Sequence, residues 1–318
     1  MLRPVLEAES EVWMERLHWD YRASSKLLMQ YIDSHMLPGY AALESGQVTG
    51  YAFCVYEESK AVIGDVFALP GFSPEAPTTG PGGSGLETEG PAHEIEETLL
   101  KHLLETLLNS PQVNRVESQL LLHPAGSHAE LFRKEGFQIY HRLFMVQLLA
   151  GRWTRPGIDM PSGLELRPWR EEDLNAAARL ISAAYRNHPD SLINDQYHSV
   201  HGSLRFLHNI VRYAGCGAFS PVASHVIADR RSHELAALVL GSRVSPQSGH
   251  ITQLCVHPEY RRQGLARLLL SLAAAQFIRQ GVSEISLTVT EANSDAIELY
   301  KSEGYENRHT FDAAVWER

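Results

Sequence analysis

The chain has 318 residues, enough for two domains that each bury a core of their own. Hydrophobic residues make up 44% and charged residues 21%, the balance of a soluble globular chain, and no apolar run approaches the ~20 residues of a membrane span. Thirty-eight acidic against 28 basic residues leave a net charge of −10, which excludes a general nucleic-acid binder.

The acid is unevenly spread. Residues up to Pro156 carry 20 acids to 12 bases, and the remainder 18 to 16, with Lys301 its one lysine. The N-terminus, "MLRPVLEAESEVWMERLHW", has acids in its first turns and lacks the apolar core of a signal peptide. Cys54, Cys216 and Cys255 lie far apart with no metal-ligand spacing, so a cytoplasmic, reducing environment is expected.

In chain order, "WMERLHWDYRASSKLLMQYI" reads as helix, and "GYAALES", "VTGYAFCVYEE" and "AVIGDVFAL" read as strands. A Gly/Pro/Thr-rich loop follows, Gly71 to His93. It holds a literal GxGxxG, Gly80 to Gly85, but prolines surround it and no helix opens inside it, so it is not a dinucleotide fingerprint. Then come helix "EIEETLLKHLLETLLNSP", strand "VNRVESQLLLH" and helix "HAELFRKEGF". Two prolines and three glycines mark a joint at Ala150 to Gly163. Beyond it, a short strand Leu164 to Pro168 precedes a helix entered through Glu171 to Asp173, and a second helix spans roughly Ser203 to Tyr213. "SHVIAD", "ELAALVLGSRV" and "GHITQLCVHP" are three strands. Helix "GLARLLLSLAAAQFIRQG", strand "VSEISLTVT", helix "NSDAIELYKSEG" and a last strand close the chain.

The chain repeats itself. "IGDVFALP" (Ile63 to Pro70) matches "ITQLCVHP" (Ile251 to Pro258) at an offset of 188, and "LFRKEGF" (Leu131 to Phe137) matches "LYKSEGY" (Leu299 to Tyr305) at 168. The expected fold class is therefore α/β with a mixed sheet, in two similar tandem domains, 1–152 and 160–318.

Arg261, Arg262, Gln263, Gly264, Leu265, Ala266 and Arg267 stand between strand "ITQLCV" and the helix that follows. A helix start offers unpaired N–H groups and partial positive charge, small residues let a ligand approach backbone, and arginines add charge. That combination suits a pyrophosphate. A solvated basic turn has the same residues.

"LCVHPEYRRQGLARLLL" resembles the acyl-CoA signature of the GNAT superfamily of N-acyltransferases, Arg/Gln-x-x-Gly-x-Gly/Ala, here Arg261-x-x-Gly264-x-Ala266. "TEANSDAIELYKSEGYE" resembles its second motif, Asn-x-x-Ala-x-x-Leu-Tyr-x-x-x-Gly-Phe/Tyr. The likeness covers the second copy from about Leu164 onward and the first only in outline. It implies two tandem GNAT-like acyltransferase domains, with acetyl-CoA as cosubstrate and no metal. It also implies that backbone of Leu254, Cys255 and Val256 meets the pantetheine arm, with donors near Cys255 holding the oxyanion. Asn293 would contact CoA, or simply cap a helix. Tyr300 would protonate the leaving thiolate, or pack as a core aromatic. His250, at the start of the splayed strand, is the candidate base; a solvent-facing strand end is the alternative. His257 reads as structural, and His198, His201 and His208 as surface histidines.

The first copy lacks these features. It has "GFSPEAPTTG" for "EYRRQGLA", Phe132 for Tyr300 and Ala125 for Asn293. One working and one degenerate domain are expected. The working domain would acetylate a primary amine of a small molecule or peptide, without nucleic-acid or membrane partners. The likeness extends to tandem enzymes acting on amino-thiol sugars, antibiotics and peptides. A non-catalytic acyl-CoA sensor or scaffold is the other reading.

Overall fold

The computed structural model describes residues 2–71, 90–149, 160–213 and 217–318. The GxGxxG stretch, Cys216 and residues 150–159 of the joint lie outside them.

Helices α1 (Arg3–Leu17) and α2 (Arg22–Asp33) precede strands β1 (Gly39–Glu44), β2 (Gln47–Glu57) and β3 (Lys60–Ala68). Then follow α3 (Pro91–Leu108), β4 (Arg115–Gln119), α4 (Ala129–Lys134) and β5 (Gln138–Leu148). The later part runs β6 (Leu164–Pro168), α5 (Leu174–Ala184), α6 (Pro189–Ile193), α7 (Val200–Arg212), β7 (Ala218–Phe219), β8 (His225–Asp229), β9 (Leu235–Arg243) and β10 (Ser248–Val256). It ends α8 (Leu265–Arg279), β11 (Glu284–Thr290), α9 (Ser294–Ser302) and β12 (Glu306–Glu317). Among the described residues, no helix is long and apolar enough to cross a membrane.

The single helix expected over Trp13–Ile32 is two helices. His18 turns left-handed at φ +55, and the Asp20 N–H bonds the Val244 carbonyl at 2.8 Å instead of continuing the helix. The α6 turn and the two-residue β7 are too short for a periodic signal, and the sequence reading passed over both.

The chain forms two compact units, and they do not follow the expected division into 1–152 and 160–318. The first unit holds Met1–Glu15, Tyr21–Ile139 and Phe311–Arg318; the second holds Arg16–Asp20 and Tyr140–Thr310. Within the first unit the strand order is β1-β2-β3-β4-β12, and within the second β5-β11-β10-β9-β8-β6, with β7 beside β9. Strand β12, late in the chain, pairs antiparallel with β4, and β5, from the earlier stretch, pairs antiparallel with β11. Each stretch therefore gives its last strand to the unit built mainly from the other. Local residue patterns carry no mark of this exchange, because β5 and β12 would read as strands in either unit.

In the first unit α3 buries Leu99, Leu100, Leu103, Leu104 and Leu107 with Ala52, Ile63 and Val116. These leucines recur at helical spacing, and each contributes on the order of 1.5–3 kcal/mol by leaving water. In the second unit one cluster joins Leu265, Leu268, Leu269 and Phe277 of α8 to Ile251, Ile285 and Leu287. Another joins α5 and α7, through Ala177, Ile181 and Leu207, to Val226, Leu238 and Cys255. Gly249 lets α8 sit close: a Cβ there would lie 2.8 Å from the Phe277 ring. In each unit parallel and antiparallel strand pairs mix, as an α/β fold with a mixed sheet requires.

Candidate active site

The second unit opens where two parallel strands part. β10 and β11 pair only at Ser248–Glu284, Gly249–Ile285 and His250–Ser286. Beyond His250, β10 stays with β9 as far as Val256, with an irregularity between Ile251 and Gln253. The strands fork, and the backbone of β10 is presented to the gap.

Strand alternation decides which groups point there. The His257 N–H bonds Ala236 O at 2.8 Å, so His257, and with it Cys255, turns its backbone toward β9. Leu254 and Val256 turn theirs into the fork. This sharpens the expectation for Cys255, whose N–H belongs to the ladder rather than to the gap. The Leu254 N–H donates to Gln253 Oε1 at 3.2 Å, and the same oxygen accepts from the Tyr185 hydroxyl at 2.9 Å. A side-chain carbonyl thus occupies the mouth of the fork. The other end of that amide, Gln253 Nε2, is buried and makes no hydrogen bond among the described residues.

After β10 a short 3-10 turn, Pro258–Tyr260, leads into Arg261–Gly264. Arg262 (φ 63) and Gly264 (φ 78) are both left-handed and close the loop onto α8. The first intrahelical bond there runs from Leu268 N to Gly264 O at 3.0 Å. Helix geometry leaves the N–H groups of Leu265, Ala266 and Arg267 without helical acceptors, at the positive end of a 15-residue helix.

Fork and helix start share one cavity of about 690 Å³. Of the expected residues it is lined by Leu254, Cys255, Val256, Arg261, Arg262, Gly264, Leu265, Ala266, Arg267, Asn293 and Tyr300. Gln263 and His250 do not line it. Gln263 is exposed and holds Glu259 O at 3.5 Å.

The arginines are not equivalent. Arg261 donates to Ala184 O at 2.7 Å and to Val256 O at 3.4 Å, fastening the loop to α5 and to the end of β10. Arg267 is paired with Glu303 at 2.6 Å and bonded to Ser302 at 2.7 Å. Arg262 is exposed and has no hydrogen bond or ion pair among the described residues, so its charge is available to an anion.

His250 corrects the sequence expectation. It is buried, its Nδ1 lies 2.9 Å from Ser286 Oγ, and its ring packs between Trp19 and Phe144. Burial, with Arg142 adding to it, pushes the imidazole down to about 4. A proton acceptor walled in this way cannot meet a substrate. His257 caps the 3-10 turn, its Nδ1 accepting from the Glu259 N–H at 3.4 Å, a structural role as expected. His198 and His201 are exposed and His208 half-buried.

Tyr300 is buried beside Tyr305, their ring centroids 5.8 Å apart, and its hydroxyl has no hydrogen-bond partner among the described residues. Burial, and then Asp190, raise its pKa, so the phenol keeps its proton. Burial likewise holds the Cys255 thiol protonated, which removes it as a nucleophile. Asn293 caps α9, its Oδ1 accepting from the Ala296 N–H at 3.3 Å, while its Nδ2 lies 3.2 Å from His188 Nε2. The cap and the cavity wall are thus one residue.

The sequence reading missed several lining residues: Arg142, Tyr185, His188, Asp190 and Gln253. His188 Nδ1 accepts from the Asp190 N–H at 3.2 Å, and the Asp190 carboxylate accepts from the Thr290 hydroxyl. Burial lowers the His188 pKa and Asp190 partly offsets it, so the ring is neutral at neutral pH. The proline at the start of α6 and the acid beside it were the signals available.

Comparison with known proteins bears on this half of the chain. Residues 180–305 match the model of the Acetyltransferase (GNAT) family. A mycothiol acetyltransferase of Geodermatophilus obscurus is 26% identical over 192 residues, 60% of this chain and 59% of that protein. One from Kocuria rhizophila is 27% identical over 159 residues, 48% of this chain and 49% of that protein. The chain thus spans about half the length of the curated relatives it matches. Among solved structures, a GCN5-related N-acetyltransferase from Sphaerobacter thermophilus aligns with a TM-score of 0.63 at 17% identity, covering 98% of this chain and 91% of that one. A tandem GNAT protein from the clavulanic acid biosynthesis pathway aligns with a TM-score of 0.57 at 16% identity, over 88% of this chain and 82% of that one. At these identities the structures speak for the fold.

Proposed function

We propose that the chain, whose residues 180–305 match the model of the Acetyltransferase (GNAT) family, transfers the acetyl group of acetyl-CoA to a primary amine. The fork between β10 and β11, open onto the cavity that also holds the start of α8, is the observation that carries this reading. The pyrophosphate sits on the N–H groups of Leu265, Ala266 and Arg267, with Arg262 as its free cation. The pantetheine arm takes the bond that Gln253 now makes to the Leu254 N–H. The same edge of β10, at Leu254 and Val256, polarises the thioester carbonyl.

The amine must arrive neutral to attack. His188, neutral and in the cavity wall, accepts its proton at Nδ1 once that lone pair leaves the Asp190 N–H, and the Asp190 carboxylate 3.9 Å away favours the charged ring. The amine nitrogen bonds to the carbonyl carbon, the C–S bond breaks, and the Tyr300 hydroxyl protonates the departing thiolate; the proton shed by the acylated nitrogen restores the phenol. Burial raises the proton affinity of a thiolate here as it raises that of Cys255, so a phenol of raised pKa remains a competent donor. The acceptor is a small-molecule or peptide amine; the acceptor of the mycothiol acetyltransferases is the first to try. A cytoplasmic setting accords with Cys54 and Cys255 as buried free thiols.

Calorimetry with acetyl-CoA and a thiol-release screen across amino sugars, polyamines, aminoglycosides and peptides test the reading. Micromolar binding with turnover of one amine class is expected. Tight binding with no turnover across the panel would leave an acyl-CoA sensor, and no binding would dismiss both.

A further inference from the structure

The first unit repeats the fork and fills it. β3 and β4 pair in parallel only from Lys60–Arg115 to Ile63–Ser118, and β3 then runs on alone beside β2. Val66 stands where Leu254 stands in the repeat. Its carbonyl does not await a ligand: His123 Nε2 lies 2.9 Å from it.

That bond fixes the chemistry of His123. A carbonyl oxygen only accepts, so Nε2 carries the hydrogen and Nδ1 presents a lone pair. Nδ1 lies 3.7 Å from Glu96 Oε2. Glu96 is fixed as well, because its Oε1 accepts from the Ala68 N–H at 3.2 Å. His128 Nε2 lies 3.6 Å from the same Oε2. His93, one turn before Glu96 on α3, stacks on His128 with ring centroids 4.9 Å apart. Ligand atoms of His93, Glu96 and His128 all lie within 4.8 Å of one another.

His128 is 4% exposed, and both of its ring nitrogens are buried without a hydrogen bond among the described residues. Buried polar atoms are normally satisfied, and leaving two on one ring is costly. Nitrogen and carboxylate ligands about 2.0–2.1 Å from a tetrahedral zinc sit about 3.4 Å apart; the 3.6 and 3.7 Å separations from Glu96 need to close by tenths of an ångström, while those involving His93, within 4.8 Å, need the larger adjustment.

We propose that the first unit binds one divalent transition-metal ion of the Zn²⁺ class through Glu96, His123 and His128, with His93 as the fourth ligand. Three imidazoles and one carboxylate suit Zn²⁺ over the hard cations Mg²⁺ and Ca²⁺. The Val66 carbonyl and the Ala68 N–H orient two of the ligands from behind, as outer-shell partners do in metal sites. Four protein ligands leave no open position, so the ion is structural: it ties α3 and the turn before α4 to the end of β3 and closes the fork. The ligands come from two distant segments, and the one local signal in the sequence is His93 and Glu96 at helical i, i+3 spacing.

The test uses the full-length, tag-free chain, stripped with chelator and titrated with Zn²⁺ and Co²⁺. Expected are one ion per chain, the intense visible bands of four-coordinate Co²⁺, and a melting temperature raised by Zn²⁺. Glu96→Gln keeps the shape and the acceptor for Ala68; together with His128→Gln it should lose about 100-fold or more in affinity. Circular dichroism establishes that each variant is folded. If His128→Gln does not fold, Glu96→Gln and the wild-type stoichiometry decide. No stoichiometric ion in the wild type, a six-coordinate Co²⁺ spectrum, or unchanged affinity in folded variants would each overturn the proposal.

Discussion

Tyr300→Phe separates chemistry from packing. The ring is buried and packs on Tyr305, and phenylalanine keeps those contacts. Its hydroxyl has no hydrogen-bond partner among the described residues, so the substitution removes no internal bond. Stability should therefore stay within about 0.5 kcal/mol of the parent or rise slightly, a melting-temperature change below about 2 °C for a chain of this size. The rate should not be spared. General-acid assistance contributes typically 10²–10⁴-fold, so kcat should fall at least ~100-fold, about 2.7 kcal/mol in the barrier. Acetyl-CoA affinity should hold, because the binding groups on β10 and α8 are untouched. Thiol release at saturating substrates, calorimetry and a thermal melt read the three quantities. A kcat within threefold of the parent refutes the acid assignment; a melt lowered by more than about 4 °C shows that the hydroxyl supports the fold.

Two further predictions follow from the arginine loop and the first unit's core. Arg262→Glu should weaken acetyl-CoA binding by about 100-fold through loss of a phosphate contact while barely moving the melt. Arg261→Ala should lower the melt by about 2–4 °C, because its guanidinium fastens Ala184 O and Val256 O; equal effects of the two on both readouts would contradict this division of labour. In the first unit, burial and then the neighbouring Glu9 raise the Asp65 carboxyl well above its ordinary value. The folded state then holds protons that the unfolded chain has released, so this contribution to stability is full below about pH 4 and is lost as pH rises through the folded pKa. Asp65→Asn keeps an acceptor for the Val66 N–H and should flatten the fall, being more stable than the parent at pH 8. A variant less stable at pH 8 but equal at pH 4 would reverse the sign.

The turn that opens α8 was legible because its requirements are local. Glycine at 264 answers a left-handed backbone, and the residues after it are those that a helix start exposes. Asn293 and Tyr300 were legible for the same reason, as positions on one short helix. His250 was not. Its environment is made by Trp19 and Phe144, both more than a hundred residues away in sequence, and no reading of "GHITQLCV" contains them. Gln253 and Tyr185 were missed because their meaning lies in a bond across 68 residues, between elements whose patterns show only ordinary helix and strand. The three arginines looked alike in sequence; only the acceptors around them distinguish an anchor, an ion pair and a free charge.

The exchange of β5 and β12 bears on how such a chain can be cut. A fragment ending near residue 137 would keep β4 but lose its neighbour β12, and one starting near 160 would keep β11 but lose β5. Each would carry a raw strand edge, an invitation to pair with another copy. The earlier stretch thus supplies β4, the strand beside which the chain's last strand pairs.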